Sequence, residues 1–190
     1  MMAGVAAAEP SVLVFGDSLS AAYGMAVDDG WVAGLEQRLR TAGYPHRVIN
    51  ASVSGETSGG GLARLPAALA RHRPQVTIVE LGANDGLRGQ PLAALEQNLT
   101  RIVNELSAHG SRVLLVAMRL PPNYGPAYVR EFADVYRRVA DVTGATLSAF
   151  LLDGVAGNPE LLLDDALHPN AAAQPRLLDN VWPALEPLLQ

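Results

Sequence analysis

Ser18 follows a Gly-Asp pair that ends the first apolar run of the chain, where a tight turn can present its hydroxyl group as a nucleophile. Near the other end of the chain, Asp165 and His168 lie three residues apart. At that spacing the carboxylate can hold one ring nitrogen of the histidine, which leaves the other nitrogen to take the serine proton. These residues predict a Ser-His-Asp triad for nucleophilic hydrolysis.

The residues beside His168 predict that this histidine lies on a loop. Pro169 follows it and disfavours helical backbone at the histidine itself. Asn170 has the side chain of a helix N-cap, so we expect the final helix to begin there. A lone loop histidine is commonly a surface residue, and the nearby Asp165 carboxylate is what gives this one a candidate role.

Two further residues have the chemistry of an oxyanion hole. Gly55 has no Cβ, so its backbone N–H can approach a substrate oxygen closely, and the neutral side chain of Asn84 can donate to the same oxygen. Both residue types are also common in turns, so each alone has an ordinary structural explanation. The nearby acidic residues are interpreted as turn support or charge balance: Asp17, Glu56, Asp85 and Asp164.

Five short β-branched and leucine-rich runs predict strands at residues 11–15, 47–50, 76–81, 112–118 and 146–150. Most are apolar without alternation, as in a parallel sheet covered on both faces, and segments of helical period separate them. A Gly-Gly-Gly run at residues 59–61 is interpreted as a helix-entry loop. The pattern predicts an α/β fold, a three-layer αβα sandwich around a five-stranded parallel sheet. Such sheets bind ligands at the carboxyl ends of their strands, where the candidate residues fall.

Length and composition indicate one ordinary domain over residues 11–190. The 190 residues are 49% hydrophobic and 17% charged, with a formal net charge of −5. Because 14 basic residues are scattered among 19 acidic ones, there is no basic stripe for nucleic acid. The chain has no cysteine, which excludes disulfides, a thiolate metal site and a cysteine nucleophile.

Residues 1–10 are rich in alanine and small residues but lack the basic start and long apolar segment of a signal peptide. They are interpreted as the remnant of a signal peptide or as a disordered tail. No stretch of about 20 apolar residues occurs in the sequence, so we expect no stable insertion into a membrane.

Four ordered blocks resemble those of the SGNH, or GDSL, hydrolases: residues 15–20, Gly55, residues 82–85 and residues 165–168. The resemblance extends from about residue 12 to residue 182. Further runs, among them residues 50–52, 61–66, 84–89 and 119–121, resemble the bacterial multifunctional acyl-CoA thioesterase, lysophospholipase and arylesterase group.

The resemblance implies a flavodoxin-like fold and a role for each matched residue. Ser18 would be the nucleophile, His168 the general base and acid, and Asp165 its orienting partner. The backbone N–H groups of Ser18 and Gly55, with the Asn84 side chain, would form the oxyanion hole. The resemblance implies no cofactor and no metal. Members of this group are often periplasmic, so we expect a periplasmic or secreted location.

The expected substrates are small acyl esters or thioesters, with lysophospholipid as one candidate. Leu87, Leu120 and Tyr124 lie in the outer loops and suggest an apolar acyl site. Arg88 or Arg119 could meet a phosphate or carboxylate of the leaving group.

Other functions stay open at this point. A carbohydrate O-acetyl esterase of the same family is one. An α/β-hydrolase is another, although the serine turn lacks one glycine of its Gly-x-Ser-x-Gly motif. A metallophosphoesterase would need ligands such as Asp17, Asn84, Asp85 and His168. The last alternative is a binding module that has the fold without the chemistry.

Overall fold

Five parallel strands form a sheet in the order β2-β1-β3-β4-β5. The computed structural model describes residues 9–190. The strands are β1 (Ser11–Gly16), β2 (Arg47–Asn50), β3 (Val76–Glu80), β4 (Arg112–Ala117) and β5 (Thr146–Phe150). Each predicted strand is present, and its ends differ from the prediction by at most one residue. The interpretation of residues 1–10 falls largely on residues 1–8, which lie outside the described residues.

The strand order reverses between β1 and β3. The chain goes from β1 outwards to β2, then returns to place β3 on the other side of β1. Every residue of β1 and of β3 is buried, as expected for central strands with helices on both faces. In open α/β sheets the crevice at such a reversal is where ligands bind, so the carboxyl ends of β1 and β3 mark the expected site.

Six α-helices cover the sheet in the described part of the chain: α1 (Trp31–Thr41), α2 (Ser58–His72), α3 (Ala83–Leu87), α4 (Leu92–Ala108), α5 (Pro126–Thr143) and α6 (Gln174–Leu185). Helix α4 packs against α2 and α5, whereas α1 packs against α6. These two groups are the outer layers, and they confirm the predicted αβα sandwich. None of the described helices has the length and apolar character needed to cross a membrane.

The interpretation of the Gly-Gly-Gly run as a loop is wrong, because α2 begins at Ser58 and includes all three glycines. The Thr57 side chain caps this helix by accepting a hydrogen bond from Gly60 N–H. A Cβ on Gly61 would lie only 2.6 Å from Leu81 Cδ1. A small residue is therefore needed where the helix meets the end of β3, and packing outweighs the low helix propensity of glycine.

Candidate active site

Ser18 lies in a tight turn directly after β1. The Asp17 carbonyl accepts hydrogen bonds from two N–H groups further along the turn, and the Asp17 carboxyl accepts one from Leu19 N–H at 3.0 Å. A Cβ on Gly16 would lie 2.7 Å from Glu80 Oε2, so the turn needs glycine at that position. The turn places Ser18 at the reversal point of the sheet.

The structure brings the three predicted triad residues together. His168 Nε2 lies 2.9 Å from Ser18 Oγ, and His168 Nδ1 lies 2.7 Å from Asp165 Oδ2. The other Asp165 oxygen accepts hydrogen bonds from the backbone N–H groups of Leu167 and His168, both at 2.9 Å. Ala166, between acid and base, has a left-handed φ of 56° that closes this short turn.

These contacts keep Asp165 ionised. The backbone N–H of His168 is the main cause that lowers the pKa of Asp165 to about 2, and the Leu167 N–H and the imidazole act in the same direction. An ionised carboxylate at Nδ1 favours the tautomer with the proton on Nδ1. The lone pair of Nε2 then faces the Ser18 hydroxyl, which is the arrangement a general base needs.

The loop that carries His168 is fixed from both sides. Leu162 and Pro169 form an antiparallel bridge, and the Asn170 side chain donates to the Glu160 and Leu162 carbonyls. Asn170 also caps the following helical turn by accepting from Ala172 N–H, as predicted. That turn is a short 3-10 helix, so α6 itself begins four residues after Asn170, at Gln174.

The phenol ring of Tyr23 packs on the imidazole of His168, a contact that no feature of the sequence predicts. The ring centroids are 4.4 Å apart, with a tilt of 37° between the planes. Tyr23 is 47% exposed and lies in the loop after β1.

The candidate oxyanion donors lie at the ends of neighbouring strands. Asn84, in the first turn of α3, donates from Nδ2 to Asp17 Oδ2 at 3.0 Å, which leaves its second N–H for a ligand. Gly55 has a φ of 77°, a backbone conformation that suits glycine. Among residues 9–190, no group accepts a hydrogen bond from the backbone N–H of Ser18 or Gly55.

Arg88 connects the two donor residues. Its Nη2 atom lies 2.9 Å from the Gly55 carbonyl and 3.4 Å from Asn84 Oδ1. Arg88 Nη2 is thus engaged in holding the Gly55 loop beside α3, and the suggested role of Arg88 as a leaving-group contact stays a prediction.

The chain matches a known family of hydrolases over most of its length. The profile of the GDSL-like lipase/acylhydrolase family matches residues 14–175. The chain belongs to this family. Membership confirms the resemblance found in the sequence and makes the protein an enzyme that hydrolyses acyl esters.

Relatives of this GDSL-like hydrolase share nearly its whole length. Esterase TesA of Pseudomonas aeruginosa is 52% identical over 183 residues, which cover 96% of this chain and 91% of that protein. Thioesterase 1/protease 1/lysophospholipase L1 of Escherichia coli strain K12 is 41% identical over 184 residues, covering 97% of this chain and 87% of that protein. A crystal structure of TesA matches with a TM-score of 0.92 at 52% identity, covering 94% of this chain and 99% of the other.

The cavity beside Ser18 in this GDSL-like hydrolase is largely apolar. Its polar side is lined by Asp17, Ser18, Asn84 and His168. The apolar side chains around them come from helix α3 and from several loops: Leu19, Ala83, Leu87, Met118, Pro121, Leu152 and Leu167. The cavity can therefore place an acyl chain beside the nucleophile.

Two of the three predicted acyl-site residues lie elsewhere. Leu87 lines the cavity, whereas Leu120 is only 5% exposed and packs beneath Gly86. Tyr124 points its hydroxyl at the Leu87 carbonyl, 3.2 Å away, and so supports the lining from outside. Arg119 does line the cavity, with its guanidinium group 5.1 Å from the centre of the Phe150 ring.

The residues considered as metal ligands in the GDSL-like hydrolase have other partners. The Asp85 carboxyl accepts from both the backbone N–H and the hydroxyl of Ser58, at 2.8 Å and 2.5 Å. Asp17 accepts from Asn84. Within the described chain, no three His, Asp or Glu side chains are grouped so that they could hold a metal ion.

Proposed function

We propose that the enzyme cleaves acyl esters and thioesters through an acyl-enzyme on Ser18. The observation that carries the proposal is the continuous line of contacts from Ser18 Oγ through His168 to Asp165, at 2.9 Å and 2.7 Å. His168 Nε2 takes the hydroxyl proton as Oγ bonds to the acyl carbon. The imidazolium then gives this proton to the leaving alcohol or thiol. Water repeats both transfers and releases the acid.

The proposed oxyanion hole consists of the Ser18 and Gly55 backbone N–H groups and one N–H of Asn84. Each is without a protein acceptor among the described residues, so it can bind the carbonyl oxygen as charge develops there. Losing one such donor costs about 2.7 to 4 kcal/mol of transition-state stabilisation. Because Asn84 is neutral, its side chain carries its N–H groups at any pH at which the enzyme works.

The proposed substrates have a medium or long acyl chain, on an alcohol or a thiol. The apolar lining formed by Leu87, Met118, Leu152 and Leu167 supports this choice. The relative from Escherichia coli is named both a thioesterase and a lysophospholipase, which supports thioesters and lysophospholipids as candidate substrates. Arg119 lines the same cavity and can contact an anionic leaving group.

A substrate panel tests this proposal. Acyl length is varied on one leaving group, and then ester is compared with thioester at one acyl length. We expect kcat/KM to rise with acyl length, since each buried methylene contributes about 0.8 kcal/mol. Leu87→Ala should reduce the preference for long over short chains by about 10-fold or more.

Val142→Ala serves as the matched control, because Val142 is 71% exposed at the end of α5 and outside the cavity lining. Its chain-length profile should equal that of the unchanged enzyme. A preference of the unchanged enzyme for acetyl esters would instead favour the carbohydrate O-acetyl esterase.

We also propose a periplasmic or secreted location. The alanine run at residues 6–8 and the resemblance to a group with many periplasmic members support this location. Osmotic-shock fractionation of bacteria that express the gene from its native locus tests it. Activity found only in the cytoplasmic fraction would contradict the proposal.

A further inference from the structure

Glu80 is a fully buried carboxyl group behind the catalytic serine. It ends β3, opposite Gly16 at the end of β1, and none of its surface is exposed. In the sequence it follows Val76, Thr77, Ile78 and Val79 of the strand and lies just before the block at residues 82–85, without being part of it. A buried carboxylate is strongly unfavourable unless it is paired or protonated, so this residue needs an explanation.

Its hydrogen bonds lead directly to the nucleophile turn. Glu80 Oε2 accepts from the Ser20 hydroxyl at 2.8 Å and from the Asp17 backbone N–H at 3.2 Å. Glu80 Oε1 is also buried, and among residues 9–190 no N–H or O–H group donates to it. The Asp17 and Glu80 side chains are both buried, and a hydrogen bond between their carboxyl groups lowers the pKa of Asp17 and raises that of Glu80. Two carboxyl groups in such contact cannot both be ionised at low cost, so one of them carries a proton.

The other contacts of Asp17 indicate where that proton lies. Asp17 Oδ1 accepts from Leu19 N–H and Asp17 Oδ2 accepts from Asn84 Nδ2, both at 3.0 Å. These donors occupy both oxygens of Asp17, whereas both donors to Glu80 reach Oε2 and leave Oε1 free to carry a proton. The pair therefore favours an ionised Asp17. Burial raises the pKa of Asp17 to about 6 and raises that of Glu80 well above its usual range. At neutral pH the proton therefore belongs to Glu80.

No described cation competes for Glu80. Tyr136, from α5, points its hydroxyl at the Leu81 carbonyl, and Asp85 is held by Ser58. Arg64 pairs with Glu56 instead, at 2.7 Å. The positive charge of a protonated His168 would lower the pKa of Asp17. The surroundings of Glu80 are thus acidic or neutral, and they favour its protonated form.

We propose that Glu80 is a positioning residue that stays protonated at neutral pH and donates to Asp17, which thereby holds the Asn84 amide in the direction required for oxyanion binding. The inference rests on the proposed role of Asn84. β1 and β3 are neighbouring strands, and this contact runs from the end of one to the end of the other. One hydrogen bond thereby connects the turn that carries Ser18 to the segment that leads into Asn84. Loss of this proton would place two buried negative charges side by side and push Asp17 away from its position.

Two substitutions of Glu80 distinguish the effect of its hydrogen bond to Asp17 from the effect of the space that its side chain fills. In Glu80→Gln, the amide N–H can donate to Asp17 while its oxygen accepts from Ser20, so kcat should stay within about 3-fold of the unchanged enzyme. Glu80→Met fills similar space without a donor. We expect it to lower kcat by about 10- to 100-fold with little change in KM, because Asn84 acts only in the transition state. Circular dichroism and thermal unfolding confirm that each variant is folded.

Infrared spectroscopy provides a readout that does not depend on activity. At pH 7 the unchanged enzyme should show the C=O stretching band of a protonated carboxyl group, and Glu80→Gln should lose it. Asp164→Asn, which changes an exposed carboxyl group, should keep the band. Absence of the band in the unchanged enzyme would overturn the proposal even if Glu80→Met cannot be purified. Equal loss of kcat in Glu80→Gln and Glu80→Met would overturn it as well.

Asn84→Ala distinguishes this proposal from the proposed oxyanion hole. Removal of an oxyanion donor should lower kcat by about 10²- to 10³-fold with KM nearly unchanged. Near-normal kcat in Asn84→Ala would contradict the oxyanion role and, with it, the function of the Glu80 contact. The infrared band would still report whether Glu80 carries the proton.

Discussion

Ser18→Ala is expected to lower kcat by about 10⁴- to 10⁶-fold while the protein stays folded. The hydroxyl of Ser18 is the one that lies 2.9 Å from His168 Nε2, so the substitution removes the nucleophile and leaves the base without a proton to take. Hydrolysis of a chromogenic ester gives kcat, and circular dichroism reports the fold. The activity that remains should be what substrate binding and the oxyanion donors provide without a nucleophile.

Covalent labelling provides the control for this prediction. A fluorophosphonate should add one adduct to the unchanged enzyme, because a hydroxyl next to a base is reactive near neutral pH. Ser18→Ala should take up none. Ser54→Ala, which alters an exposed serine in the loop after β2, should react as the unchanged enzyme does. Labelling of Ser18→Ala at the same rate would show that another residue is the nucleophile.

Asp165→Asn should lower kcat by about 10⁴-fold. The carboxylate at 2.7 Å from His168 Nδ1 holds the proton on that nitrogen, whereas an amide can donate to Nδ1 and so favour the wrong tautomer. The amide oxygen can still accept from the two backbone N–H groups of the turn, so the loop should keep its shape. Crystallography or NMR of the variant, together with kcat, checks both parts.

The low pKa of Asp165 also predicts how acid affects the protein. A carboxyl group whose pKa is about 2 in the folded state, below the ordinary aspartate value of 3.8, stabilises the folded form at pH values above 3.8. This contribution is lost as the pH falls from about 4 towards 2, and Asp165→Asn should remove it.

Asp164→Asn is the matched control, expected to retain normal kcat. Normal kcat in Asp165→Asn would contradict the orienting role.

The sequence predicted the triad because its signals are local. A turn of Gly, Asp and Ser after an apolar strand, and an acid three residues before a loop histidine, need no knowledge of distant contacts. The strands were predictable for the same reason, since each buried strand is a continuous apolar run. The assignment of roles to Ser18, Asp165 and His168 stays a prediction until the variants are measured.

What the sequence did not reveal depends on contacts between distant segments. Glu80 meets the Asp17 backbone 63 positions away, and Tyr23 meets His168 across almost the whole chain. A glutamate in an apolar strand was the one signal that could have pointed to the first contact. Leu120 was assigned to the acyl site because its loop is outermost, but a leucine in a loop packs wherever apolar space is nearest, and here that space lies under Gly86.

The short turn that carries both Asp165 and His168 has a consequence for how the site assembles. Acid and base are three residues apart and share two backbone hydrogen bonds, so their relative position is set locally. Folding must therefore bring together only two parts of the chain, the turn at residues 165–168 and Ser18, instead of three separate residues. The entropy lost on forming the triad is correspondingly smaller, because closing a loop of three residues restricts the chain far less than closing one of about 150.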